Sequence, residues 1–178
     1  LRVVWHMASV CPAWLKQAWI DWLGPEKIFE LYGGTELFGI TLISGEEWLV
    51  HKGSVGKVMA GWQMRIFNED GDECAVGEIG GIYFLPDEGT ETTFKYIGAN
   101  VSALGNWLTY GDLGYVDEDG FLYIADRRTD MIVSGGANIY PAEVEAALDQ
   151  HPDVRSSIVI GLPDPDLGNR PHAIVQLA

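Results

Sequence analysis

The order of signals in the first 36 residues constrains this chain most. Leu1-Arg2-Val3-Val4-Trp5 is a short β-branched run of the kind that forms a buried strand. Pro12 then opens a stretch to Gly24 in which Leu15, Ala18, Trp19 and Trp22 recur at three- and four-residue steps. A helix with its tryptophans in the core is expected there. A second strand run, Lys27 to Tyr32, leads straight into Gly33-Gly34-Thr35-Glu36. Strand, helix, strand, glycine turn is the order of a parallel α/β unit, because parallel strands need a crossover between them.

From Gly39 to about Tyr123 the pattern changes to short β runs broken by glycine turns, which predicts a twisted sheet or partial β-barrel. Beyond Arg127 come a strand (Met131 to Val133), a Gly135-Gly136 break and a helix opened by Pro141 with one apolar stripe of Val144, Ala147 and Leu148. Two more strands follow, Arg155 to Ile160 and Pro171 to Leu177. The fold class is therefore α/β plus β-rich, followed by a small α+β part, with a boundary near Arg127 to Asp130 dividing residues 1–128 from 129–178.

Composition limits the partners. A hydrophobic content of 47% is that of a globular chain. The net charge of -15, with 11 unclustered Lys and Arg residues, disfavours nucleic acid and anionic lipid. No apolar run approaches the roughly 20 residues that cross a bilayer, and Leu1 to Ala8 carry neither a basic leader nor a cleavage site. No membrane span and a cytoplasmic location are expected. Cys11 and Cys74 cannot build a disulfide framework, and His6, His51, His151 and His172 lack metal-ligand spacing. The chain starts at Leu1 and stops inside the apolar alternation Ala173 to Leu177, so both ends are expected to be cuts in a longer protein.

Three segments carry candidate chemistry. Tyr32 to Glu36 follows a strand's carboxyl end, where open α/β sheets place ligands. Glycines there allow close backbone approach, Thr35 offers a hydroxyl to a phosphate, Glu36 a carboxylate to magnesium, and Tyr32 a flat face to a base. Taken alone, an ordinary glycine turn accounts for the segment as well. The second is Tyr110-Gly111-Asp112-Leu113-Gly114-Tyr115 with Ala125-Asp126-Arg127. If Asp119-Gly120 is a two-residue hairpin loop, Glu118 pairs with Phe121 and Asp112 stands opposite Arg127. Such a pair either grips a ribose or is a plain cross-strand ion pair. The third, Arg127 to Pro141, combines a polar joint with a double glycine that admits a ligand or makes a tight turn.

In this order and spacing, Tyr32-Gly33-Gly34-Thr35-Glu36, Gly111-Asp112-Leu113-Gly114-Tyr115 and Arg127 through Glu145 resemble the adenylate-forming superfamily of acyl-CoA synthetases, luciferases and peptide-synthetase adenylation domains. Ser134 to Glu145 looks most like the acid-CoA ligase branch. The resemblance implies the end of the large adenylate-forming domain and the first part of a small mobile C-terminal domain. It implies ATP, Mg2+ and coenzyme A as cofactors, and an acyl-adenylate made from a carboxylic acid and passed to the coenzyme A thiol. By position, Tyr32 would stack on adenine beside Ala8, Ser9, Gly33 and Gly34. Thr35 would contact phosphate, Glu36 would hold magnesium, and Asp112 would bind the ribose hydroxyls with Arg127 assisting. Thr129 would be the hinge and Gly136 would face coenzyme A. Leu37, Phe38 and Gly39 would border the acyl pocket, their apolar character favouring a fatty, aromatic or steroid-like acid.

The family's phosphate loop would lie upstream of Leu1 and its C-terminal lysine beyond Ala178. These residues alone are therefore expected not to turn over, and to self-associate through surface left uncovered. Tyr110, where the family often has threonine, and Asp126, where it often has glycine, depart from the pattern.

Overall fold

β1 (Val4–Met7) and β2 (Ile28–Tyr32) pair in parallel, Val4 with Ile28 through Met7 with Leu31, and α1 (Ala13–Leu23) lies between them in the chain. The computed structural model describes residues 1–9, 11–88, 94, 102–127 and 130–178. β3 (Thr41–Ser44) and β4 (Lys57–Val58) extend the sheet antiparallel, in the order β1-β2-β3-β4.

Two expectations are corrected here. The face that α1 buries carries Lys16 and Ile20, with Trp19 and Leu23 packed against the core, whereas Trp14 and Trp22 are each 72% exposed. The helix is turned about one residue from the apolar count because Lys16 meets the Glu30 carboxylate of β2, a pairing that hydrophobic periodicity does not weigh. Residues 45–50, inside the supposed run of strands, form helix α2 (Gly45–Val50). The Ser44 hydroxyl accepts from the Glu47 N–H while the Glu47 carboxylate accepts from the Ser44 N–H. This capping box satisfies two helix-end donors and lets Trp48 bury to 2% exposure.

The β-rich stretch contains β5 (Trp62–Phe67), β6 (Gly80–Pro86), β7 (Ala103–Leu104), β8 (Trp107–Leu108), β9 (Asp112–Val116) and β10 (Leu122–Arg127). They form one six-stranded sheet in the order β10-β9-β6-β8-β7, with β5 also on β6. Successive residues of the chain serve two cores. Phe121 packs with Ile20, Ile28, Ile43 and Trp48, while Leu122 packs with Phe38, Ile66, Ile82 and Phe84.

The β9–β10 loop is one residue longer than the count assumed. Asp117 N–H donates to the Phe121 carbonyl at 3.0 Å, and the Asp117 Oδ1 accepts from the N–H groups of Asp119 and Phe121. Residues 118–120 are thus the loop, Tyr115 stacks on Tyr123, and the outward count no longer sets Asp112 across from Arg127. An aspartate that bonds its own backbone two and four residues on favours this wider turn.

Cα packing divides the chain into Leu1–Ile124 and Ala125–Ala178. In the second unit β11 (Ile132–Ser134) and β12 (Ala137–Ile139) form a hairpin, followed by α3 (Pro141–Leu148), β13 (Val154–Asp164) and β14 (Gly168–Leu177). The sheet order is β12-β11-β14-β13, all antiparallel. Gly135 and Gly136, at φ 57° and 86°, are the two turn residues between Ser134 and Ala137. Both central positions of such a turn need positive φ, which glycine adopts at least cost.

Candidate functional site

The register of the parallel pair positions the site. With Met7 beside Leu31, Ala8-Ser9 and Tyr32-Gly33-Gly34 emerge together at the carboxyl edge of β1 and β2. Ala8 and Ser9 are exposed, and Ala8 holds a positive φ of 74°. The Tyr32 phenol donates to the Asp112 Oδ2 at 2.7 Å, joining two candidates that lie 80 residues apart. Asp112 opens β9 just after Gly111, whose N–H donates to the Thr109 hydroxyl at 2.9 Å.

The loop that returns to β3 sorts its residues by depth. Thr35 is exposed and its hydroxyl lies 3.4 Å from the Glu36 Oε2, while Glu36 is half-buried. Leu37 donates its N–H to the Gly34 carbonyl at 3.1 Å and stands 61% exposed at φ 57°. Phe38, at 1% exposure, turns into the core, so of the three residues assigned to an acyl pocket Leu37 is the exposed one. Gly39 follows at φ 62°, where any side chain would overlap the Phe84 ring.

Of the remaining assigned residues, Arg127 and Gly136 are exposed residues of the second unit. Thr129 lies outside the described residues. The two departures from the family pattern have local partners. Tyr110 donates its phenol to the Phe38 carbonyl oxygen. Asp126 accepts from the Arg127 N–H at 2.7 Å and from the Ala142 N–H at 3.0 Å, so its carboxylate satisfies an end donor of α3.

One layer below the edge lies a charge cluster that sequence reading missed. His6 of β1 is in register with Glu30 of β2, and Lys16 of α1 pairs with the Glu30 carboxylate. The His6 Nδ1 comes within 3.3 Å of the Glu30 Oε1 without a hydrogen-bonding alignment. Lys16 and Glu30 are 2% and 7% exposed. Burial pushes the Lys16 ammonium down to about 8, and burial first, then the Lys16 charge, holds the His6 imidazole below its ordinary value. The parallel register itself was the available signal, since it brings residues 6 and 30 together.

Glu36 with the Thr35 hydroxyl is a fitting donor set for magnesium, an oxygen-seeking ion that is commonly held by one or two carboxylates plus phosphate and water. Among the described residues no group of three or more His, Cys, Asp or Glu side chains forms a protein-only metal cage, and no helix is long and apolar enough to cross a membrane. The second unit carries a cavity of about 430 Å³ lined by Asp126, Glu145, Ile158, Ile160 and neighbours, none of them an assigned site residue.

Comparison with known proteins matches this geometry to a family. Residues 1–85 match the AMP-binding enzymes and residues 143–178 match the AMP-binding enzyme C-terminal domain. The chain belongs to the AMP-binding, adenylate-forming superfamily, on its acid-CoA ligase branch. It is 43% identical over 152 residues to a 2-succinylbenzoate-CoA ligase of Bacillus velezensis, covering 84% of this chain and 31% of that one. Across its full length it resembles the o-succinylbenzoate CoA synthetase MenE of Bacillus subtilis, solved with the acyl-adenylate OSB-AMP, at a TM-score of 0.84 and 36% identity over 37% of that protein. The amide bond synthetase McbA of Marinactinospora thermotolerans is similar at a TM-score of 0.81 and 29% identity, covering 99% of this chain and 37% of that one. The chain thus spans about a third of the length of the curated relatives it matches. Its fold is the sheet-rich end of the large adenylate-forming domain followed by the start of the C-terminal domain.

Proposed function

We propose that this chain is the adenosine and magnesium side, together with the first part of the mobile domain, of an AMP-forming acid-CoA ligase acting in the cytoplasm on an apolar, ring-bearing carboxylic acid. The observation that carries it is the meeting of Tyr32, from the Gly-Gly-Thr-Glu turn, with Asp112 through a 2.7 Å hydrogen bond. A base stacked on the Tyr32 face has its ribose hydroxyls directed at the Asp112 carboxylate, which accepts both. Arg127 extends that grip by a forked contact to ribose or phosphate.

In the reaction class so proposed, a substrate carboxylate oxygen attacks the α-phosphorus of ATP and the bond to pyrophosphate breaks. The thiol sulfur of coenzyme A, losing its proton, then attacks the acyl carbon, and the bond from that carbon to the bridging oxygen breaks so that AMP leaves with the oxygen that came from the carboxylate. Thr35 donates its hydroxyl to a phosphate oxygen, and Ala8 and Ser9 flank the base. Glu36 holds the metal, which neutralises phosphate charge when bound. Leu37 offers its exposed side chain to the acyl group, with Phe38 and Gly39 as the floor beneath it. Thr129 serves as hinge between residues 1–128 and 129–178, and Gly136 faces the coenzyme A arm in the second half-reaction. The aromatic substrate class is supported by relatives that are named 2-succinylbenzoate-CoA ligases.

The test is acid-dependent exchange of labelled pyrophosphate into ATP by the complete gene product, followed by acyl transfer to coenzyme A, to an amine and to a carrier protein. Exchange with aromatic acids and transfer to coenzyme A are the expected results. Absence of exchange with every acid tried overturns the ligase reading in favour of a non-catalytic nucleotide-binding module. Transfer to the amine alone moves it to the chemistry of the amide bond synthetase.

A further inference from the structure

Tyr110 is left unused by these roles, although its surroundings are specific. Its ring stacks on Phe38 with centroids 4.0 Å apart and planes 15° apart, and it meets the Tyr32 ring edge-on at 6.2 Å. It also closes on Gly34, where a Cβ would overlap the Tyr110 ring. Burial above all pushes its phenol up from the ordinary value, so the group remains a donor at neutral pH. Two residues further on, the Asp112 carboxylate accepts from Tyr32. The two phenols therefore cross: the loop's tyrosine donates to the start of β9, and the tyrosine before β9 donates to the loop's backbone at Phe38.

We propose that Tyr110 is a positioning residue for the nucleotide, clamping the Tyr32 to Phe38 loop against the start of β9. The Tyr32 ring, the Glu36 carboxylate and the Asp112 carboxylate then keep one spacing. This rests on the nucleotide reading above. Within the loop, Leu37 N–H to Gly34 carbonyl is a backbone bond that spans only three residues, and Thr35 and Leu37 face solvent. A loop that has to be ordered by its ligand loses affinity to that ordering, whereas one held in place beforehand does not.

The experiment uses the complete gene product, its Tyr110→Phe variant and, as a control whose ring meets Phe67 edge-on rather than the loop, Tyr83→Phe. Phenylalanine keeps the stacked ring and removes only the hydroxyl. Amide hydrogen exchange of Thr35 to Gly39 and titration with AMP are read in parallel. Tyr110→Phe is expected to speed exchange in the loop severalfold with β5 and β6 unchanged, and to weaken AMP roughly fivefold, the size of one ordinary hydrogen bond. Tyr83→Phe changes neither. Unchanged loop exchange in Tyr110→Phe overturns the clamp whether or not nucleotide binds. Faster exchange with unchanged AMP affinity overturns the positioning role. Failure of the unsubstituted gene product to bind AMP overturns the nucleotide reading and the positioning role with it, and the exchange arm still decides the clamp.

Discussion

Glu30 sits at 7% exposure between a lysine and a histidine, and the energetics of that arrangement are one-sided. A buried ion pair contributes little against a well-packed apolar pair, but removing one partner strands the other charge in low dielectric. Lys16→Met is therefore expected to cost about 3–5 kcal/mol in chemical denaturation, and adding Glu30→Leu to recover most of it. A loss as large in the double variant as in the single one would show that Lys16 acts through packing on Trp48, over whose ring its ammonium lies at 5.1 Å. The cluster lies two residues before Ala8 and Tyr32 on their strands, so it also fixes how the two ends meet.

Among the elements, the β9–β10 hairpin depends on one carboxylate. Asp117 receives bonds from its own loop and, on Oδ2, from the Tyr123 phenol at 3.1 Å and the His51 Nδ1 at 2.9 Å. Burial raises its pKa, but the Phe121 N–H, His51 and Tyr123 together more than offset this and hold it below its ordinary value. A depressed folded value means that the ionised carboxylate adds stability above the ordinary value, and that this is lost as pH falls through the folded one. The stability gap between the native chain and Asp117→Asn is thus expected to close on acidification below the ordinary aspartate range. Urea midpoints across that range measure it, and a gap that persists in acid would remove the carboxylate from the account. The same hairpin teaches how legible the elements were. A two-residue loop was the simpler reading of Asp119-Gly120, yet the Asp117 side chain made the longer turn. The α2 helix was readable from Ser44 and Glu47, a capping-box spacing hidden among strand signals.

At the scale of the molecule, each unit leaves apolar surface open. Trp14 and Trp22 are 72% exposed, Met7 is 51% and Trp5 is 48%, on an α1 and a β1 that ends its sheet. In the second unit Ile158 and Ile174 are 59% and 55% exposed. Exposed apolar side chains beside a strand that ends its sheet favour association. Sedimentation of this chain is expected to show mass rising with concentration, and to lose that rise when Trp14 and Trp22 are replaced by polar residues. A constant monomer over the whole range would reverse this expectation.

The sequence by itself determined the parallel strand–helix–strand unit, the glycine turn at its end and the family pattern of Tyr32, Asp112 and Arg127. These are local matters, set by periodicity, turn chemistry and spacing. Only the tertiary structure decided that Lys16 rather than Trp14 or Trp22 faces the sheet, that Phe38 is buried while Leu37 is exposed, and that Tyr110 bonds the loop at Phe38. The first depends on a partner 14 residues away in sequence, and the other two on the meeting of Phe38 with Tyr110, 72 residues away, which the tertiary fold brings into contact.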